Sequence, residues 1–322
     1  MKNKQVIIRL LIGILLLVLL VIRIGKENLI RLPDYFFSAD WRWIGIGILL
    51  FLVALLLGTA RWGILLEVQG IRLNFASLFS LTYMGFFFSN FLPGVVGGDL
   101  VKLYYLGKKS GKTGAVFSSL FMDRTLGLLG LLTIAFISLL MNLERLVVKN
   151  ILPQILLWFT VLLFLLFLLL NRRSAFLFSF LTRIKKFRLG ERFQRLLSSF
   201  QLYGKRKPPL LKAYLLSLFL QLEMIIIAFL VSLALRVPIP LIYFFFFFPL
   251  ISLIMSLPIS ISGLGTREWA YVFFFTNLPG IKDVDALAIS LGLYLVTLLT
   301  SLGGGILYII RGGEVKECSV NT

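Results

Sequence analysis

Long apolar stretches constrain this chain more than any other feature of its sequence. A transmembrane helix needs about 20 mostly apolar residues. Stretches of this kind occupy residues 6–24, 43–60, 114–140, 151–170, 209–235 and 284–310. Hydrophobic residues make up 59% of the chain and charged residues 15%, whereas soluble domains carry about 25% charged residues. The sequence therefore predicts an all-α polytopic membrane protein with six full transmembrane helices.

The residue types that are missing narrow the possible chemistry. The chain contains no histidine, and its single cysteine is Cys318. Because histidine is the usual metal ligand and the usual general base, we expect no metal, no cofactor and no catalytic residue. The first apolar stretch follows Lys2 and Lys4 and has no small-residue cleavage site after it, so we expect an uncleaved signal anchor.

Basic residues in the loops predict the orientation. The net charge is +19, and the segment 171–208 is strongly basic. By the positive-inside rule this segment and the lysines near the N-terminus face the cytoplasm. We therefore expect a multi-pass protein of the cytoplasmic membrane with both termini inside. The apolar and basic residues of 171–208 recur at helical spacing, which predicts an amphipathic helix on the inner leaflet.

Two further apolar stretches, 75–106 and 239–275, are each interrupted by proline and glycine. The residues of the breaks are Pro93, Gly94, Gly97 and Gly98 in the first stretch and Pro258, Gly263 and Gly265 in the second. Proline cannot continue a helix, and glycine permits a tight turn. With the basic loops inside, each stretch begins and ends on one side of the membrane. We therefore expect two re-entrant helical hairpins.

The order span, hairpin, span occurs twice, once in residues 43–140 and once in residues 209–310, with opposite orientation. We interpret residues 1–322 as one membrane domain that contains these two segments as inverted repeats. Inverted repeats with broken helices are typical of transporters.

Charged side chains follow both breaks and also lie within two predicted spans. They are Asp99, Lys102, Asp123, Arg124, Glu223, Arg267 and Glu268. Charges inside a bilayer are costly and usually functional, and the forked donors of arginine suit a phosphate. We interpret Lys102, Arg124 and Arg267 as ligands of an anionic headgroup, and the four acids as groups that orient these cations or contact a cationic part of the substrate. Structural salt bridges remain the alternative.

Arg61 and Trp62 directly follow the predicted end of span 43–60. Long basic side chains and tryptophans are enriched at membrane interfaces. We therefore expect both residues at the cytoplasmic interface.

Three segments, NFLPGVVGGDLVKLYYL, FMDRTLGLLGL and LPISISGLGTREWA, resemble the transmembrane region of the lysylphosphatidylglycerol synthase family, the flippase-like integral membrane proteins. The resemblance covers nearly the whole chain. It implies a membrane region that moves an aminoacylated phospholipid across the bilayer, and in two-part relatives a cytoplasmic domain makes that lipid. Because the chain ends at Thr322, we expect a stand-alone member without the synthase domain.

The first functional hypothesis is a lipid translocase for a phosphate-bearing lipid, with aminoacylated and glycosylated lipids as candidates. One alternative is a membrane-embedded lipid transferase, in which Asp123, Glu223 or Glu268 supplies acid–base chemistry. Another is a secondary transporter of ions or small solutes. The expected partner is an anionic or zwitterionic membrane lipid, and a separate lipid-modifying enzyme stays open as a further partner. Nucleic acid is not expected, because the basic residues gather in loops between apolar spans.

Overall fold

The computed structural model describes residues 2–91, 97–140, 146–171, 198–257, 260 and 263–311, and all regular structure in these ranges is helical. The helices are α1 (Lys2–Ile24), α2 (Lys26–Ile30), α3 (Leu32–Phe37), α4 (Trp41–Val68), α5 (Phe75–Phe91), α6 (Gly97–Ser110), α7 (Thr113–Leu140), α8 (Leu146–Leu170), α9 (Lys207–Ala234), α10 (Leu241–Ser256), α11 (Thr266–Phe275) and α12 (Asp283–Arg311). Residues 198–205 are also helical. Most of the basic segment 171–208, residues 172–197, lies outside the described residues.

Each of the six predicted spans corresponds to one helix. Among the described residues, α4, α7, α9 and α12 are long and apolar enough to cross a membrane. The apolar parts found in α1 and α8 are shorter, Leu10–Ile24 and Leu156–Leu170. The chain is therefore an all-α polytopic membrane protein, as the sequence predicts.

The largest difference from the predicted boundaries lies in α4. The span was expected to end at residue 60, but the helix continues to Val68. Gly70 then adopts a positive φ of 70°, and the N–H of Ile71 donates to the carbonyl oxygen of Leu66 at 3.0 Å, as in a glycine-terminated helix end. Arg61 consequently lies inside the helix, about 10 Å before its end at 1.5 Å per residue.

The first interrupted stretch forms two separate helices, α5 and α6. They contain 17 and 14 residues, so their lengths are about 26 and 21 Å. Both are shorter than the hydrocarbon core of about 30 Å. The N–H of Gly98 donates to Ser89 Oγ at 3.1 Å, and a side chain at Gly98 would overlap the carbonyl oxygen of Gly85. Helix α6 therefore begins beside the last turns of α5.

The second interrupted stretch forms an antiparallel pair, α10 and α11. The ring of Phe244, early in α10, lies 5.0 Å from that of Phe275, late in α11. At the other end, a side chain at Gly263 would overlap Met255. Gly263 and Gly265 have positive φ angles of 76° and 80°, which favour glycine. The two helices thus form a helical hairpin around the predicted break.

Three of the predicted break residues, Pro93, Gly94 and Pro258, lie outside the described residues. Gly97 and Gly98 form the first turn of α6. Gly265 directly precedes α11. These positions agree with the predicted interruption of each stretch, and re-entry into a membrane stays a prediction.

The described residues divide into two compact units. The first unit comprises the described parts of Met1–Leu55, Tyr83–Asp99 and Gln221–Gly313, and the second those of Leu56–Thr82, Leu100–Leu220 and Glu314–Thr322. In the first unit, phenylalanine rings of α10 and α11 pack together. The second unit has an apolar core that includes Leu65, Met122 and Tyr203. The inverted-repeat assignment stays a prediction.

Candidate functional site

The second hairpin places Arg267 and Glu268 in the first turn of α11. The N–H of Gly265 donates to Glu268 Oε2 at 2.7 Å, which caps the start of the helix. Arg267 Nε donates to Glu268 Oε1 at 3.1 Å and to Ser290 Oγ at 3.3 Å, and Arg267 Nη2 also donates to Glu268 Oε1. Two neighbours in the sequence therefore form an ion pair, and Ser290 connects it to α12.

This pair is almost fully buried. The side chains of Arg267 and Glu268 are 10% and 2% exposed. The guanidinium carbon of Arg267 lies 4.3 Å from the centre of the Tyr294 ring, a distance typical of a cation–π contact. Within the described chain, Arg267 Nη1 donates to no protein acceptor. One side of the guanidinium group is therefore available to an oxygen atom of a ligand.

The same unit contains three buried polar atoms that make no hydrogen bond to any described residue. They are the Tyr271 hydroxyl, Glu223 Oε2 and Ser232 Oγ. Unpaired buried polar atoms are uncommon in native structures. Tyr271 lies four residues after Arg267 and so shares its face of α11. This face carries two donors with unused capacity, whereas Glu223, on α9, makes no ion pair with the predicted basic residues that the structure describes.

Helix α1 packs directly against the second hairpin. The indole Nε1 of Trp269 donates to the carbonyl oxygen of Leu16 at 2.6 Å. Arg23 lies over the Trp269 ring at 5.5 Å, and its Nε donates to Asp283 Oδ2 at 2.8 Å. The start of α11 is therefore supported by α1 on one side and by α12 on the other.

A further contact joins the short helix α3 to α12 in the first unit. The Tyr35 hydroxyl donates to Asp285 Oδ1. Burial, and then the hydrogen bond and negative charge of Asp285, raise the pKa of Tyr35 to about 12. Tyr35 therefore remains a neutral hydrogen-bond donor at physiological pH.

The second unit contains a different buried pair, between Arg61 of α4 and Asp123 of α7. Arg61 Nε and Nη2 donate to the two carboxylate oxygens of Asp123 at 2.7 and 2.9 Å. Arg61 Nη1 donates to Ser217 Oγ of α9 at 2.9 Å. The side chains of Arg61 and Asp123 are 12% and 16% exposed. Arg61 therefore joins three helices instead of extending freely from the end of a span, and its expected interfacial position stays a prediction.

Trp62 is buried within the protein, with 1% exposure. Its Nε1 donates to Ser119 Oγ of α7 at 3.1 Å, and Lys102 Nζ of α6 lies 5.0 Å from the ring centre. Helix α4 continues past residue 60 and α7 covers this turn, and the expected interfacial position of Trp62 stays a prediction.

The remaining predicted site residues are half-buried on their helices: Asp99 on α6 and Arg124 on α7. In the described part of the chain, no group of three or more histidine, cysteine, aspartate or glutamate side chains could hold a metal ion.

The sequence did not predict the roles of Arg61, Tyr271 and Trp269 in these contacts. A signal for Arg61 existed, because the apolar run that follows it, WGILL, could extend the helix and place this arginine inside it.

Comparison with known proteins gives one family and two relatives. Residues 6–305 match the family described as the lysylphosphatidylglycerol synthase TM region. A UPF0104 membrane protein of Pyrococcus horikoshii is 32% identical over 129 residues, which cover 39% of this chain and 37% of the relative. A UPF0104 membrane protein of Methanocaldococcus jannaschii is 30% identical over 132 residues, with the same two coverages. The chain thus covers little more than a third of each relative, and no solved structure matches it.

Proposed function

We propose that this chain, which belongs to the lysylphosphatidylglycerol synthase TM region family, is a lipid translocase that moves a phosphate-bearing lipid across the cytoplasmic membrane. The family is named for the membrane region of a lipid-modifying enzyme, which supports a substrate that is itself a lipid. Aminoacylated and glycosylated phospholipids are the candidate substrates. In this proposal both termini face the cytoplasm, because the basic loops stay inside.

The buried Arg267 is the observation that carries the proposal. Its pairing with Glu268 makes the couple neutral overall, which lowers the cost of keeping an arginine in an apolar environment. The contacts with Ser290 and Tyr294 fix the orientation of the guanidinium group. Its Nη1 side remains without an acceptor in the described chain, so a phosphate oxygen can bind there as a charge-assisted partner.

The geometry of the second hairpin supports a break at membrane depth. Helices α10 and α11 contain 16 and 10 residues, and neither can cross a core of about 30 Å. Because they run antiparallel, the stretch returns to the side from which it starts. Irregular backbone at membrane depth is tolerated only inside protein or beside a water-filled cavity, and transporters place such broken helices at their substrate sites.

The other charged residues receive different assignments in this proposal. Asp123 holds Arg61, so its first role is to connect helices rather than to bind substrate. Lys102 and Arg124 are further cationic candidates for the headgroup. Asp99, Glu223 and Glu268 orient cations or contact a positive part of the lipid. No P-loop occurs in the sequence, so we expect downhill or ion-coupled movement without ATP.

A vesicle assay tests the proposal. The purified chain is reconstituted with a phospholipid labelled on its acyl chain, and the fraction of label that an external reductant quenches is followed over time. We expect the rate to fall by about tenfold or more in Arg267→Gln, because a charge-assisted hydrogen bond contributes about 1.5–3 kcal/mol. Arg267→Lys should retain part of the activity. Arg42→Gln, an exposed arginine on α4, serves as the matched control.

Several outcomes would contradict the translocase. Full activity in a folded Arg124→Ala, Arg267→Ala double variant would remove the arginines from the mechanism. Chemical turnover of the lipid by the purified chain would favour the transferase. Solute uptake without any movement of labelled lipid would favour the secondary transporter.

A further inference from the structure

We propose that the second unit contains a separate lipid site that binds one zwitterionic phospholipid with a primary amine. In this site an acyl chain occupies a cavity between α4 and α5, and the headgroup amine binds Glu67. The site shares no residue with the Arg267 cluster, and it does not depend on the translocase proposal.

The cavity has the size and lining that a hydrocarbon chain requires. It measures about 300 Å³ and lies between the end of α4 and the start of α5, at the lower end of the range for ligand pockets. Its walls are mostly apolar and include Gly63, Ile64, Ile71, Leu73, Phe75 and Leu78. Water has few partners in such a space. Hydrocarbon from a lipid tail therefore fills this cavity at a lower free-energy cost than water does.

Small residues on α4 keep this space open. Ala60 and Gly63 both line the cavity and lie three residues apart, on one face of the helix. A Cβ atom at Gly63 would already lie 3.0 Å from Leu78 Cδ2. A larger side chain at Ala60 should therefore fill the cavity, which gives a direct way to test its use.

The rim of the cavity is polar and lies where an apolar helix ends. Helix α4 is a candidate membrane span, and the residues that follow its last apolar turns read EVQGIRLN. The sharp turn at Gly70 brings Ile71 back to Leu66. Asn74 Oδ1 then accepts the N–H of Ala76 at the start of α5. An apolar cavity with a polar rim at a helix end matches an amphiphile that lies at the headgroup level.

Two charged residues of this turn determine the class of headgroup. Glu67 lines the cavity, and Arg72 follows five residues later; both are exposed. Within the residues that the structure describes, neither side chain has an ion-pair or hydrogen-bond partner. One carboxylate and one guanidinium group complement the amine and the phosphate of a zwitterionic lipid. An amine that donates hydrogen bonds suits Glu67, which points to phosphatidylethanolamine chemistry.

Native mass spectrometry of the full purified chain tests the site. The protein is titrated with phosphatidylethanolamine and with phosphatidylglycerol that carry identical acyl chains. We expect phosphatidylethanolamine to bind about fivefold more tightly, as an exposed ion pair of about 1 kcal/mol would give. Glu67→Gln should abolish this preference, and Ala60→Leu should weaken binding of both lipids. Glu27→Gln changes another exposed acid, outside the cavity, and should change nothing.

Three results would overturn the inference. Equal binding of the two lipids to the unchanged chain, or an unchanged preference in Glu67→Gln, would reject the headgroup assignment. Undiminished binding in a folded Ala60→Leu protein would reject the cavity, and if that variant does not fold, the Glu67→Gln titration decides. Arg267→Gln should leave this binding intact even where it abolishes lipid movement, so failure of one proposal is distinguishable from failure of the other.

Discussion

The two buried arginine–carboxylate pairs differ in how they are built. Arg61 and Asp123 are 62 residues apart and lie on two helices, and every nitrogen of the Arg61 guanidinium group donates to a protein oxygen. Arg267 and Glu268 are adjacent on one helix, and Arg267 Nη1 donates to no described residue. The first pair uses its hydrogen bonds to connect helices, whereas the second leaves one donor nitrogen without an acceptor in the described chain.

This difference predicts which variants should lose stability and which should lose ligand binding. A pair that spans helices loses tertiary contacts when it is broken, so its removal should appear mainly in unfolding measurements. A pair within one turn is held by local geometry, so its removal should appear mainly in ligand binding. Buried charge alone does not identify a substrate site, and the unused hydrogen-bonding capacity of the arginine is the more informative property.

The largest expected effect is that of Arg61→Ala. This change leaves the half-buried Asp123 carboxylate without its partner, so we expect a loss of about 3 kcal/mol, near the lower end of the range for a buried pair. Unfolding in detergent, followed by circular dichroism, measures the loss. Arg42→Ala, at an exposed position of the same helix, is the control. The double change Arg61→Leu, Asp123→Leu should recover much of the loss, and wild-type stability in Arg61→Ala would refute the connecting role.

The next effect compares two glycines of the first unit with nearly the same φ angle. Gly265 and Gly280 have φ angles of 80° and 81°, but an added Cβ at Gly265 lies 2.5 Å from the carbonyl oxygen of Gly13, whereas Gly280 has nothing within 4 Å. We expect Gly265→Ala to cost about 3 kcal/mol and Gly280→Ala about 1 kcal/mol, because only the former adds overpacking to the strain of a positive φ. Equal losses in the thermal unfolding of the two variants would show that α1 does not press against the hairpin.

Arg267→Gln should destabilise the protein less than Arg61→Ala does. Glu268 keeps its hydrogen bond from the N–H of Gly265, so we expect a loss of about 1–2 kcal/mol. In the same variant the rate of lipid movement should fall by about tenfold or more, because a charge-assisted hydrogen bond to the phosphate is lost. Stability and flipping rate measured on one preparation provide the comparison. A loss of stability as large as that of Arg61→Ala would remove the distinction between the two pairs.

The hydrogen bonds of the buried Trp62 and the half-buried Trp269 should contribute alike, in contrast to the arginines. Trp269 donates to Leu16 in the first unit, and Trp62 donates to Ser119 in the second. Replacement of either by phenylalanine removes one hydrogen bond and part of the indole ring, which together cost about 2 kcal/mol. Denaturant unfolding of the two variants measures both losses, and a difference between them above about 1 kcal/mol would show that the units tolerate such losses unequally.

The smallest expected effect is a loss of stability of the first unit at alkaline pH. Because the pKa of Tyr35 is raised to about 12 from its ordinary value of 10.0, the folded chain holds this proton more tightly than the unfolded chain. The stabilisation is complete below pH 10 and is lost as the pH rises through about 12. Tyr35→Phe should remove this contribution from a series of melting temperatures. An identical series for the variant and the unchanged chain would contradict the contact with Asp285.

The sequence predicts well those features that are encoded locally. Among the described break residues, Gly97 and Gly98 begin α6 and Gly265 directly precedes α11, and the backbone restrictions of proline and glycine allow both breaks to be placed from the sequence without knowledge of the fold. The end of α4 could not be placed in this way, because an arginine after an apolar run looks like the end of a span until the partner of Arg61 is known. That partner, Asp123, follows 62 residues later on another helix, and no local pattern records such a pairing.

The hydrogen bond between Trp269 and Leu16 joins residues that are 253 positions apart, and this distance sets an order of assembly. At roughly 5–20 residues per second, ribosomes need about ten to fifty seconds to make the intervening chain. During that interval α1 must occupy the membrane without the helix that it finally supports. The surroundings of Arg267 are therefore completed only after α11 and α12 have been made, long after α1 has left the ribosome.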